Sequence, residues 1–205
     1  EHLNVDSQSI VHFSAASHEL LLGAADRFLA QHQGSRGIVI VTKNKLAADE
    51  LVYRNSHLGL CGVYRLTVEQ LAQELSRKRM AEQGRKTASM LTLDAITRRS
   101  VNATADSLNY FRDVARTPRF SGSLLRTLRE IRLSGVESSV LSRGGPAPKD
   151  IGILLNQYQL ELADHECTDL RDRIDVAVES ASADCHDFSG LPLILLCPAA
   201  EHKAQ

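Results

Sequence analysis

The chain has 205 residues, 43% of them hydrophobic and 24% charged, with a formal net charge of −1. That is enough for one sizeable core, or for one domain carrying an inserted subdomain, and the composition is that of an ordinary globular protein. The longest apolar run, "LPLILLC", is strand-sized, which excludes a membrane-spanning helix, and the near-neutral charge conceals an uneven distribution along the chain.

The first third alternates strand and helix patterns. "SIVHFSA" (9–15) predicts a strand, and "SHELLLGAADRFLAQH" predicts a helix with Leu21, Leu22, Ala25, Phe28 and Leu29 at helical spacing and Ser17 as its N-cap. Gly34 and Gly37 bracket a turn before "GIVIVT", a wholly apolar strand of the kind buried in a parallel sheet. A helix is expected from about Lys45 to Tyr53, then a Gly-rich break at "HLGLCG" and a third strand, "VYRLT". Thr67 is placed to cap the next helix, "VEQLAQELSRKR". Strand–helix units joined by short turns imply right-handed crossovers and a doubly wound parallel sheet.

From about Thr87 to Ala181 helical patterns take over: "LTLDAITRRSVNATA", "DSLNYFRDVA", "SGSLLRTLREIRLSGV", "KDIGILLNQYQLELADHE" and "TDLRDRIDVAVESA". In the third, Leu124, Leu125, Leu128 and Ile131 form one stripe, with Arg126, Arg129 and Arg132 largely off it and Gly135 suited to the stop. "SRGGPAPKD" (142–150) reads as a loop, and the alternating charges of "TDLRDRID" read as a salt-bridged surface. A strand returns at 191–197. The expected organisation is an α/β core over 1–86, a helical insertion over 87–187, and a return strand of the core over 188–205.

Chemical motifs are sparse. A P-loop needs glycines and a Lys-Ser/Thr pair between the first strand and its helix, and between Phe13 and Leu22 there is neither glycine nor lysine. "LPLILLC" runs into Pro198-Ala199-Ala200 rather than the Asp-Glu that holds magnesium in ATP-hydrolysing helicases. His12 and His18 near Ser14 and Ser17 make no triad, and Asp184, Cys185, His186 and Asp187 read as solvated loop residues. Cys61, Cys167, Cys185 and Cys197 are irregularly spaced without C-x-x-C, so reduced thiols in a cytoplasmic protein are expected, with no disulfide framework. The first residues show no export signal. No catalytic residue, metal or cofactor is assigned.

Charge is uneven along the chain. Seven Lys/Arg face two acids over 76–99, seven Arg face three acids over 112–143, and ten acids face three basic residues over 149–187. Such asymmetry marks either a polyanion face and a partner face, or a set of solvated helix faces. At the strand-to-helix junction, Thr42, Lys43, Asn44 and Lys45 offer hydroxyl, amide and ammonium donors of the kind phosphate contacts require. Thr67 is the counterpart at the neighbouring strand, and Arg77, Lys78 and Arg79 extend a basic track. Tyr53 and Tyr64 are the nearest aromatics, too few to support base stacking. Equally, Lys43 and Lys45 read as solvated residues at a helix start whose N-cap is Asn44.

"IVIVTKNKLAADELVYR" resembles motif Ia of UvrD-like superfamily 1 helicases, and "GVYRLTVEQLAQEL" is similar to the next motif of that family, which also faces single-stranded DNA. "FSGSLLRTLREIRLSGV" and "ILLNQYQLELADHECTDLRDRIDVAVESA" resemble the helical insertion of the helicase-like B subunit of AddAB-type helicase–nucleases, of the PD-(D/E)XK nuclease family. The resemblance covers roughly residues 10 to 197 and rests on the order of the motifs. It implies a P-loop NTPase-like sheet (domain 1A-like) with a helical (1B-like) insertion, and a degraded ATP site. It also implies a non-catalytic DNA-binding role in double-strand-break processing and recombinational repair, beside a UvrD-like motor subunit. It further implies an N-terminal piece of a longer protein whose nuclease domain lies downstream. The alternative expectation is a protein–protein scaffold that docks the motor without touching DNA. A small α/β enzyme is a third, requiring a deep pocket of converging titratable groups.

Overall fold

A computed structural model of the chain describes residues 17–183 and 186–196. In chain order the elements are α1 (His18–Gln31), β1 (Ile38–Thr42), α2 (Lys45–Arg54), β2 (Val63–Leu66), α3 (Val68–Glu82), β3 (Lys86–Thr87) and α4 (Met90–Thr104). There follow α5 (Arg112–Ala115), α6 (Phe120–Leu133), α7 (Ser138–Leu141), α8 (Pro146–Asp164), β4 (Cys167–Thr168), α9 (Leu170–Ser182) and β5 (Leu193–Leu196). The protein is thus mixed α/β and mostly helical, with a small parallel sheet. Its described residues form two compact units, 17–67 with 190–196 and 68–183 with 186–189. No helix among the described residues is long and apolar enough to cross a membrane.

The α/β unit is built on β1. Ile38, Val39, Ile40 and Val41 are all at most 2% exposed, and each such side chain gains about 1.5–3 kcal/mol from leaving water. β2 and β5 pair with β1 in parallel on its two edges, giving the order β2-β1-β5. Ala25 and Leu29 of α1 and Ala48 and Leu51 of α2 cluster with Ile38 and Ile40, and Ile194 and Leu196 pack against them. Asp26 ties the two helices together, accepting from Asn55 Nδ2 at 2.6 Å and pairing with Arg54 Nε at 3.0 Å. Gly62, at φ +64°, lies so close to Arg36 that a Cβ would sit 2.9 Å from its carbonyl, so this turn into β2 requires glycine. The strand expected at 9–15 lies outside the described residues, and the return strand spans four residues.

The helical unit corrects several expectations. Lys86–Thr87 and Cys167–Thr168, where no strand is expected, form a two-residue parallel ladder, with Lys86 N–H donating to the Glu166 carbonyl at 2.8 Å. The 142–150 loop is shorter than expected: α8 starts at Pro146, because proline lacks the N–H that a first helical turn leaves unpaired. "DSLNYFRDVA" is α-helical only over Arg112–Ala115, with a single 3-10 turn at its start over Ala105–Ser107. The N–H groups of Asn109, Tyr110 and Phe111 turn instead to the buried Asp150 carboxylate of α8, at 2.8–3.1 Å. Helix α3, expected with the first part of the α/β core, packs against α9 in the helical unit through Ala72, Ile174 and Ala177.

The largest departure is electrostatic. "TDLRDRID" is not a uniformly solvated surface. Asp169 is 3% exposed and caps α9 in a capping box with Asp172. Arg132, 8% exposed on α6, donates Nε and Nη2 to Asp169 and Nη2 to Asp172 at 2.7 Å. Burial pushes the Asp172 carboxyl above its ordinary value, with the Asp169 charge adding to this and Arg132 opposing it. Burial would lower the Arg132 guanidinium, but the two carboxylates outweigh it and raise its pKa. Only the outer part of the segment is surface, where Arg171 and Asp175 pair at 2.9 Å. Replacing Arg132 with Ala strands two desolvated carboxylates and should cost about 3–5 kcal/mol in a urea titration.

Glu161 on α8 accepts from Arg99 Nε at 2.9 Å and Gln157 at 3.2 Å. Burial would raise its pKa, but those hydrogen bonds and the Arg99 charge prevail and lower it. A depressed carboxylate contributes stability above its unfolded value and loses it as pH falls through the folded value. Unfolding free energy should therefore decline as pH drops below the ordinary 4.5, and Glu161→Gln should flatten that decline when denaturation midpoints are measured against pH.

Candidate nucleic-acid interface

The apolar run of β1 ends at Thr42, and there the chain must turn out of the sheet. Thr42 is itself 1% exposed, and its hydroxyl donates to the Asn44 carbonyl at 2.6 Å. Asn44 is extended (φ −147°, ψ 159°), and its side-chain oxygen accepts from the Ala47 N–H at 3.0 Å, capping α2. These two bonds fix the turn and aim its remaining side chains outward: Lys43, Asn44, Lys45 and Leu46 are all exposed. Thr42 therefore shapes the turn rather than standing open as a donor at its surface.

Neither Lys43 nor Lys45 makes an ion pair among the described residues, and the first turn of α2 holds no acid. Lys45 is the first residue of the helix, where a cation faces the positive end of the helix dipole. An approaching anion would relieve both charges, although the Ala47 N–H of that turn is already held by the Asn44 cap.

Register places the other strand ends at the same level. Val41 pairs with Leu66 and Thr42 with Leu196, so half-buried Thr67 emerges beside the Thr42 turn. From β1 the chain goes through α2 to β2 on one side, while β5 arrives on the other side from a distant part of the sequence. In open α/β sheets ligands gather outside the carboxyl ends of strands at such a point.

Arg77 and Lys78 belong to α3 in the helical unit. Arg77 pairs with Asp187 at 2.7 Å and Glu74 at 3.6 Å, and Arg79 with Glu179 at 3.0 Å. Lys78 is exposed and without an ion pair among the described residues. Two of the three charges of the basic track are thus compensated within the unit. Tyr53 is 83% exposed but sits at the other end of α2 from Lys45, about 12 Å along the axis. Tyr64 points to the sheet face opposite Arg65, which pairs with Asp49 at 2.8 Å. No aromatic side chain among the described residues accompanies the lysines closely in sequence.

Of the expected phosphate-handling positions, only the start of α1 lies among the described residues. Ser17 caps α1 by accepting from the Leu20 N–H at 3.2 Å, and Glu19 occupies its first turn. Phe13 to Ala16 and Cys197 to Ala200 lie outside the described residues. No group of three metal-ligating side chains occurs among those described, and Cys61 and Cys167 are free thiols. Of the four groups with shifted pKa values among the described residues, Arg132, Tyr158 and the half-buried Asp172 gather in the helical unit, and Glu161 pairs with Arg99 in the same unit. The Tyr158 hydroxyl is raised by burial and finds no hydrogen-bond partner among the described residues. Closely packed ion networks shift pKa values for structural reasons, so this cluster does not argue for catalysis.

The burial of Thr42 was foreshadowed by the unbroken apolar run before it, and the Asn44 cap by its place ahead of a helical pattern. The pairing of Arg77 with Asp187, 110 residues away, had no local signal. No family model matches the chain, and no curated protein matches it.

Asn44→Ala removes the cap of α2 and should cost about 1 kcal/mol in unfolding free energy. Thr42→Val, which keeps the volume and loses one hydrogen bond, should cost a similar amount. Chemical denaturation of each variant measures both.

Proposed function

We propose that the α/β unit is a helicase-like domain, of the P-loop NTPase-like and superfamily 1 domain 1A type, that has kept a strand-end grip on nucleic acid without nucleotide chemistry. In this reading the chain is a non-catalytic, cytoplasmic DNA-binding and scaffolding part of an ATP-dependent helicase–nuclease engaged in double-strand-break processing and recombinational repair. Its partners are single-stranded DNA, held weakly, and a UvrD-like motor subunit. The helical unit corresponds to the 1B-like insertion.

The observation that carries the reading is the exposed Lys43-Asn44-Lys45 turn at the carboxyl end of a fully buried parallel strand. Its two cations have no ion-pair partner among the described residues, and it stands at the open end of the sheet. The similarity of this stretch to motif Ia supports the choice of DNA as the anion. Contacts of this kind are to the phosphate backbone and carry no sequence preference.

A second reading is favoured by a specific observation. Arg77 and Arg79 are engaged with Asp187, Glu74 and Glu179, so α3 offers less free charge than its sequence suggests. That removes two charges from a DNA track along α3 and suits a protein scaffold that meets a motor subunit through its other exposed helical faces, with DNA held elsewhere in the assembly.

Fluorescence anisotropy with a labelled single-stranded oligonucleotide separates the two. The chain should bind weakly, with affinity falling as salt rises. The double variant Lys43→Ala/Lys45→Ala should lower the slope of log affinity against log salt by about 1.4, at about 0.7 for each phosphate that a lysine no longer neutralises. An unchanged slope in that variant overturns the strand-end grip. Co-purification with a UvrD-like motor in the absence of measurable DNA binding selects the scaffold reading.

A further inference from the structure

We draw no further inference here: the strongest candidate, the apolar face of β5 on which Leu193 and Leu195 are exposed, carries nothing because nothing among the described residues shows what covers it.

Discussion

β1 is closed in on every side: its two faces are buried and both of its edges are paired with parallel strands. A strand in that position tolerates no polar side chain until it ends, so the chain's first opportunity to present charge comes at the turn that follows. The Thr42 hydroxyl and the Asn44 side chain then satisfy the polar groups of that turn locally. What remains, Lys43 and Lys45, is exposed because the interior has no place for an unpaired ammonium. The candidate interface is in this sense a consequence of the burial of the strand before it.

The helical unit depends on a different constraint. Arg132 comes off one helix and Asp169 and Asp172 off another, and none of them is stable in the interior without the others. Asp169 also caps α9, so one carboxylate both starts a helix and fixes it against α6. Asp150 does comparable work elsewhere in the unit, collecting the backbone N–H groups of Asn109, Tyr110 and Phe111. Buried carboxylates thus specify the arrangement of the helices, while Leu128, Leu154, Leu155 and Tyr158 supply the apolar core.

Structure is legible in the sequence where its determinant is itself local. The wholly apolar run at 38–41, the Asn44 and Ser17 caps and the leucine stripe of α6 each follow from period or from side-chain chemistry within a few residues. Gly135, at φ +69°, ends α6 for the same kind of reason, since the left-handed conformation there suits a residue without a Cβ. Misreadings cluster where a distant partner decides. Arg132 looks like a surface residue by its place off the leucine stripe, and only Asp169, 37 residues on, makes its burial possible. The stretch 106–115 has a helical pattern that Asp150 overrides.

Sequence alone determined that strand and helix patterns precede a long helical block, that the run at 38–41 is a buried strand of a parallel sheet, and that lysines follow it. Those properties rest on hydrophobic periodicity and on caps, which act over one or two turns of chain. Tertiary structure decided which charges remain available. Arg77 and Arg79 are compensated by residues some hundred positions away, Arg132 is enclosed by two carboxylates, and Lys43 and Lys45 meet no acid among the described residues. The physical reason is that an ion pair depends on distance in space, and separation along the chain says almost nothing about it.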